Sequence, residues 1–424
     1  MSSTPGSRST PYPLAVLGCG PAAVSAAREA ARREARVALL VPEQATADMP
    51  ASTDFAQAIR RHQAAQGIHA PALPVDQPRM DIFHGAVRFS RYRTVSVGGV
   101  DVRFQRAVIA TGAVPGPIEL PGAESAQPLR PSELGRLAVP PLSLAVVGDD
   151  GSACFWAQQF RRLGSEVHLL VTGPRLLEAV DEQASDIVTR QFAAEGLRVH
   201  ARCEEITLDR TGNRRGVLTR RGDSWEKLLA DEVLVCPAPR PCVAELALET
   251  AAVAYSPEGI GVDDWLRTSE RRIFSAGGVC GPRFASPEAE EATGRLAARN
   301  ALAWLPRHLS RCVIPRYTAT DPPIVELGLR PAEAVAAGID TELRRVEFRE
   351  AQVAGSAEGR YGCIAVLLDR RRRLVGATIV AVGAEDLALP LMLLMQRRLP
   401  VHALGELAPC RCGRGRMLAA LIRQ

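Results

Sequence analysis

Two glycine-bearing loops carry residue types at the spacing that holds a dinucleotide. The first, Gly18-Cys19-Gly20-Pro21-Ala22-Ala23, follows an apolar run from Leu14 to Leu17 and opens an alanine-rich stretch reaching about Arg33. In such a loop the first glycine permits the tight turn and the second lets backbone approach a pyrophosphate. A small third residue, here Ala23, lets helix and strand pack closely. The phosphate would rest on the helix N-terminus, where N–H groups and the dipole favour an anion. A second strand, Val37 to Val41, follows. The acidic residue that should end it and hold the adenosine ribose is Val41, with Glu43 as the available substitute. An ordinary βαβ unit with a glycine turn is the plainer alternative.

The second loop runs from Gly148 through Gly151 to Ala153, between a strand at Leu144 to Val147 and a helix reaching Leu163, with a further strand at Val167 to Val171. Its middle glycine is replaced by Asp150. A carboxylate about 4 Å from a pyrophosphate costs on the order of 1 to 4 kcal/mol at effective dielectrics between water and protein surface. That is roughly one to three powers of ten in affinity. The layout is that of an NAD(P) loop and the chemistry is not, so nicotinamide binding and a structural remnant both stand as readings.

A third candidate is Cys410 and Cys412, one residue apart beside Arg411, Arg414 and Arg416. Neighbouring arginines favour the thiolate, which suits a soft metal or a thiol couple; two surface thiols in a basic tail are the plainer reading. The other eight cysteines are scattered without CxxC spacing, so neither a zinc site nor a disulfide framework is expected.

These loops need elements to position them, and the composition supplies such elements. The 424 residues are 46% hydrophobic and 23% charged, which describes a globular chain of several domains. No uninterrupted apolar run reaches the length of a membrane span, and the polar start, residues 1–12, lacks the order of a signal peptide and reads as a disordered leader. A cytoplasmic protein without membrane insertion is the expectation. The net charge of +5 is small, and Lys227 is the only lysine. With no basic stripe interleaved with aromatics, a nucleic-acid partner is not expected.

Further stretches complete a pattern. "RAVIATGAVPGPIELPG" (Arg106 to Gly122) resembles the strand and turn that close a first FAD segment, and "LRTSERRIFSAGGVCG" (Leu266 to Gly281) is similar to a second, followed by the helix "EEATGRLAARNAL". "IPRYTATDPPIVELGL" and "RRRLVGATIVAVGAEDL" resemble a C-terminal interface domain. Together these motifs resemble the pyridine nucleotide-disulfide oxidoreductases, the group that includes dihydrolipoamide dehydrogenase, mercuric reductase and glutathione reductase. The resemblance implies an α/β fold of two Rossmann-like FAD/NAD(P)-type domains plus a C-terminal α+β dimerisation domain. It places an FAD domain at 13–140 and 262–305, a degenerate NAD(P)-type domain at 141–261 and a homodimerising domain at 306–424. The FAD contacts it implies are Gly18, Gly20, Ala23, Val87 through its backbone, Ala110, Thr111, Gly112, Gly277 and Gly278. The apolar run Leu387 to Met395 suits a buried helix of the dimer interface.

The departures bear on function. Working members pass hydride from NAD(P)H to flavin and then to a CxxxxC disulfide, with a His-Glu pair from the partner subunit as acid and base. Here no cysteine lies between Cys19 and Cys154, so the disulfide relay is absent. Gly278 stands where an aspartate would hold the flavin ribityl chain, Phe155 where an acidic residue often lies near the nicotinamide, and Pro239-Arg240 where a Gly-Arg turn is usual. Arg411 and Arg416 fall at the places of the His-Glu pair, and guanidiniums do not move protons at neutral pH. The expectation is an FAD-dependent oxidoreductase that passes electrons from flavin to a small acceptor such as a quinone, with NAD(P)H doubtful as reductant. The alternative is a non-catalytic flavoprotein with a scaffold, sensing or partner-binding role.

Overall fold

The computed structural model describes residues 10–42, 78–349, 361–405 and 418. Glu43, Cys410, Arg411, Cys412 and Arg416 lie outside the described residues. The chain divides into two compact units, one of 10–42, 78–116 and 238–312, the other of 117–237, 313–349, 361–405 and 418.

The first unit opens with β1 (Tyr12–Leu17), α1 (Pro21–Arg32) and β2 (Val37–Val41). It continues through β3 (Met80–His84), β4 (Val87–Arg91), β5 (Thr94–Val97), β6 (Val100–Ile109) and β7 (Ala113–Pro115). β6 serves two sheets, and its residues show why. Along Asp101 to Gln105 exposed and buried side chains alternate, as in a meander with one wet face, and this half pairs antiparallel with β5. Ala107, Val108 and Ile109 are buried consecutively, as in a covered parallel sheet, and this half lies parallel to β1. The strand order is β3-β2-β1-β6-β5-β4.

The second unit begins with a four-stranded parallel sheet in the order β10-β9-β8-β14. Its parts are β8 (Ser143–Val147), α2 (Gly151–Arg162), β9 (Glu166–Leu170), α3 (Glu182–Ala194), β10 (Arg198–His200) and β14 (Glu232–Val235). Between β10 and β14 runs an antiparallel ribbon, β11 (Glu204–Thr211), β12 (Arg214–Arg221) and β13 (Ser224–Ala230).

The chain then returns to the first unit with β15 (Pro239–Pro241), which pairs antiparallel with β7, and a short ribbon of β16 (Tyr255–Ser256) and β17 (Gly259–Ile260). Next, β18 (Ile273–Ser275) adds to β6 in parallel, and α4 (Pro287–Leu302) packs beside α1. That helix pair is built from small residues: Ala22, Ala23, Ala26 and Ala27 share a core with Leu296, Ala297, Ala298 and Ala301.

The last stretch gives the second unit an antiparallel sheet in the order β19-β20-β23-β22-β21. The strands are β19 (Arg316–Thr318), β20 (Ile324–Gly328), β21 (Glu342–Arg349), β22 (Tyr361–Leu368) and β23 (Leu374–Val380), and α5 (Ala384–Arg397) covers them. Ile324, Cys363 and Val380 join Phe155, Phe160 and Val188 in one apolar core, so this sheet and the parallel one are packed together within the unit. The expectation of a buried helix at Leu387 to Met395 holds for one face within the single chain. Leu387, Leu391 and Leu394 are buried, while Leu389 and Leu393, one turn apart, point to solvent and are 63% and 57% exposed. Among the described residues no helix is long and apolar enough to cross a membrane.

Candidate functional site

The first loop sits at the carboxyl ends of β1, β6 and β18. Gly18 N–H donates to Leu40 O at 2.8 Å, and Ala110 N–H to Leu17 O at 2.8 Å, so the loop and the Ala110-Thr111-Gly112 turn leave adjacent strands side by side. Gly18 has φ +129°, and a Cβ there would overlap the Ala110 carbonyl, which makes glycine obligatory. Gly20 and Gly112 differ: a Cβ on Gly20 would meet only the Glu290 carboxyl at 3.7 Å, and one on Gly112 would meet nothing within 4 Å. Gly112 borders open space, and Gly20 faces only the end of the Glu290 side chain. The N-terminus of α1 has Gly20 as its cap residue and donates to no capping side chain, so the N–H groups of its first turn, apart from Pro21, which has none, are available to an anion.

The other residues expected here gather as follows. Ala23 is buried on α1 against the sheet. Thr111 Oγ1 donates to Cys242 O at 2.8 Å, and Cys242 N–H donates to Gly112 O at 3.0 Å, tying the turn to the returning chain beside β15. Gly277 and Gly278 begin the short helical turn after β18, where Gly277 N–H donates to Thr293 Oγ1 at 3.0 Å. Val87 is buried at the start of β4, two residues after Gly85, whose N–H donates to the last residue of β2. Thus Gly18, Gly20, Ala23, Ala110, Thr111, Gly112, Gly277 and Gly278 converge at one end of the sheet, and Val87 lies past the end of β2.

Glu290 was not singled out in the sequence, yet it stands in this cradle. On α4 it sits one turn before Gly294, and a Cβ on Gly294 would overlap the Ala22 carbonyl, so α1 and α4 cross at backbone contact. The i, i+4 relation puts Glu290 on that same face, directly in front of the loop. Its Oε1 accepts from Gly278 N–H at 3.3 Å. Burial pushes its carboxyl up to about 7, the Gly278 N–H opposing the shift. The space an aspartate at 278 would need is taken, since a Cβ there would lie 3.0 Å from Ala113 Cβ and 3.3 Å from Glu290 Oε1.

The second loop is closed by its own carboxylates. Asp150 is the N-cap of α2 and accepts from Ala153 N–H at 3.0 Å, filling the place an anion would take. Burial raises the Asp150 carboxyl and the loop's N–H groups lower it. Asp149 accepts from Thr172 N–H at 2.7 Å and from the Thr172 hydroxyl, bridging the loop to the chain just past β9. A Cβ on Gly151 would lie 3.1 Å from Thr318 Cγ2, so the helix end is also covered from β19. Phe155 is buried with its ring edge-on to Trp156 at 5.0 Å between centroids. Gly148, Gly151 and Ala153 therefore keep the geometry of a nucleotide turn without its open anion site.

The thiols add no redox pair among the described residues: Cys19, Cys154, Cys203, Cys236, Cys242, Cys280, Cys312 and Cys363 are all unbridged. Burial raises Cys19, and pushes Cys236, Cys280 and Cys363 up to about 12. No group of three or more His, Cys, Asp or Glu placed to hold a metal occurs among the described residues.

The family model described as pyridine nucleotide-disulphide oxidoreductase matches residues 12–296, and that of the family's dimerisation domain matches 314–408. The chain belongs to the pyridine nucleotide-disulphide oxidoreductase family. A mercuric reductase of Staphylococcus aureus is 28% identical over 337 residues, 78% of this chain, and the match spans only 61% of that relative's length. A mercuric reductase of Streptomyces lividans is 28% identical, covering 89% of this chain and 88% of the relative. A dihydrolipoyl dehydrogenase of Thermus scotoductus is 28% identical over 77% of this chain and 71% of its own. The structure of the HOCl-induced flavoprotein disulfide reductase RclA from Escherichia coli superposes with a TM-score of 0.80 over 97% of this chain and 99% of that one, at 21% identity, which is a likeness of fold.

Proposed function

We propose that this chain is an FAD-dependent oxidoreductase that passes electrons from flavin to a small acceptor, a quinone for example, without a dithiol relay. The observation that carries the reading is the contrast between the two loops: the first has an uncapped helix end and open glycines, the second a carboxylate in the anion's place. Gly18, Gly20, Ala23, Ala110, Thr111, Gly112, Gly277 and Gly278, with the Val87 backbone, would hold the FAD. The cradle fits the group in that its glycines leave room at Gly20 and Gly112, and α1 offers its N-terminus to the diphosphate. Bound flavin supplies hydride and one-electron chemistry, so the reaction does not require cysteines. The protein's part is to bind the cofactor, orient it and keep water from its buried side.

Lack of a relay is supported by the sequence, which has no cysteine between Cys19 and Cys154. Membership of a family with a dimerisation domain, together with the outward Leu389 and Leu393, supports a homodimer. The Asp150 cap favours a second reading, a non-catalytic flavoprotein, because it leaves NAD(P)H without a phosphate site. One experiment separates them. Flavin-loaded protein is reduced anaerobically by NADH, NADPH or dithionite and then mixed with a benzoquinone, before and after thiol alkylation. Rapid flavin reoxidation by the quinone, unchanged by alkylation, is the expected result. Reoxidation no faster than that of free reduced FAD favours the non-catalytic reading, and loss of reoxidation on alkylation sinks the relay-free mechanism.

A further inference from the structure

The flavin reading leaves one group in the cradle unexplained, the Glu290 carboxyl. Three features fix its place. The α1/α4 crossing at Ala22 and Gly294 fixes the helix that bears it; Gly278 N–H binds one oxygen; and the other oxygen faces the bare Cα of Gly20. Gly20 caps α1 and Gly278 heads the turn after β18, so the carboxyl lies where both backbone donors and an incoming diphosphate would meet. An ionised carboxylate here repels a phosphate while it accepts from Gly278 N–H. A neutral carboxyl can still accept from that N–H, loses the repulsion, and has an O–H that can donate to a phosphate oxygen.

Resting on the assignment of FAD to this loop, we propose that Glu290 is a proton-linked gate on the cradle, admitting the cofactor's diphosphate when protonated and competing with it when ionised. The groups facing Glu290 leave it as the one that titrates near neutrality. From the loop, the Cys19 thiol is raised, by burial first and by the Glu290 charge second. From the turn after β18, the Cys280 thiol is bonded to Ser275 Oγ at 3.1 Å. On α4 itself, Thr293 Oγ1 donates to Ala289 O at 2.6 Å, and Glu291 pairs outward with Arg295. β7 presents Ala113, which carries no charge. With desolvation opposed only by the Gly278 N–H, the carboxyl is mostly neutral below about pH 7 and mostly ionised above it.

The test is FAD binding by the full chain stripped of flavin, followed by flavin fluorescence and by calorimetry in buffers of different ionisation enthalpy. Between pH 6.5 and 8.5 the dissociation constant of the parent is expected to rise about 20-fold, and binding at pH 8.5 to take up close to one proton. In E290Q, which keeps a neutral donor of the same shape, affinity is flat across that range, no proton is taken up, and binding at pH 8.5 is tighter than in the parent. E290A should be flat as well but weaker than E290Q, having lost the donor. A pH-independent parent overturns the gate and leaves the flavin assignment standing, as does an E290Q weaker than the parent at every pH, which would make the carboxylate a ligand. Failure of parent, E290Q and E290A alike to bind FAD at any pH overturns the gate together with the flavin assignment.

Discussion

Asp150 Oδ1 lies 3.0 Å from Ala153 N, so the second nucleotide-type loop binds its own carboxylate where a bound nucleotide would place a phosphate. The first loop has no such internal cap. One fold thus presents the same kind of helix end twice, once without a capping side chain and once with its own carboxylate in place.

Replacing Asp150 by glycine should reopen the second site at little structural cost, since glycine at an N-cap costs only about a few tenths of a kcal/mol. Removing a charge about 4 Å from the incoming phosphates returns roughly 1 to 4 kcal/mol. Titration with NADH, followed by quenching of protein fluorescence, should show affinity at least about tenfold tighter in D150G. An unchanged affinity would mean that the Asp149–Thr172 bridge and Thr318 close the loop by themselves.

The Glu290 carboxyl also predicts a pH dependence of the flavin-free chain. It titrates near 7 folded, against ~4.3 in an unfolded chain. Below ~4.3 both states are protonated and its contribution to stability is fully present. As pH rises the unfolded chain ionises first, and the contribution is lost progressively until the folded group is charged too, above about 7. The span is about 4 kcal/mol at most. Urea denaturation should therefore find E290Q equal to the parent near pH 3.5 and more stable by up to that amount at pH 8. A difference that does not grow with pH would refute the raised carboxyl.

Gly294→Ala adds one methyl, yet it should cost about 3 kcal/mol, because the Cβ meets the Ala22 carbonyl and overpacking at backbone contact has no side chain to yield. The same variant should lose FAD affinity by about tenfold or more, since α4 must lift from α1 and carry Glu290 with it. Urea denaturation and flavin titration check the two effects.

Leu389→Glu combined with Leu393→Glu places two charges on the outward face of α5 without touching the buried Leu387, Leu391 and Leu394. If that face is the homodimer contact, sedimentation should show a dimer for the parent and a monomer for the variant, with the circular dichroism of each unchanged. A variant that remains dimeric would place the contact elsewhere.

Local pattern carried much of this architecture in the sequence. The strand expected at Val37 to Val41 spans those residues, and the helix expected to end near Arg33 ends at Arg32, because continuous apolar runs and glycine turns are written over a few neighbouring positions. The carboxylate of Asp150 in the second loop was visible in the sequence as well, although its role as a cap depends on the loop's folded shape. Glu290 was not legible. "EEATGRLAARNAL" reads as a helix whichever face is buried, and the face is chosen by Gly294 meeting Ala22, a contact between residues remote in sequence. The Asp149–Thr172 bridge was missed for the same reason, since nothing local marks Thr172 as its partner.

The backbone contact between Ala22 and Gly294 has a consequence for speed. Two helices interlocked at that point cannot slide apart as a hinge would, so the Glu290 carboxyl can clear the loop only by rotating its own side chain. Such rotations take picoseconds to nanoseconds, against microseconds to milliseconds for motions of whole domains. Entry of a cofactor into this pocket would then be paced by diffusion and by proton availability, and not by a slow opening of the fold.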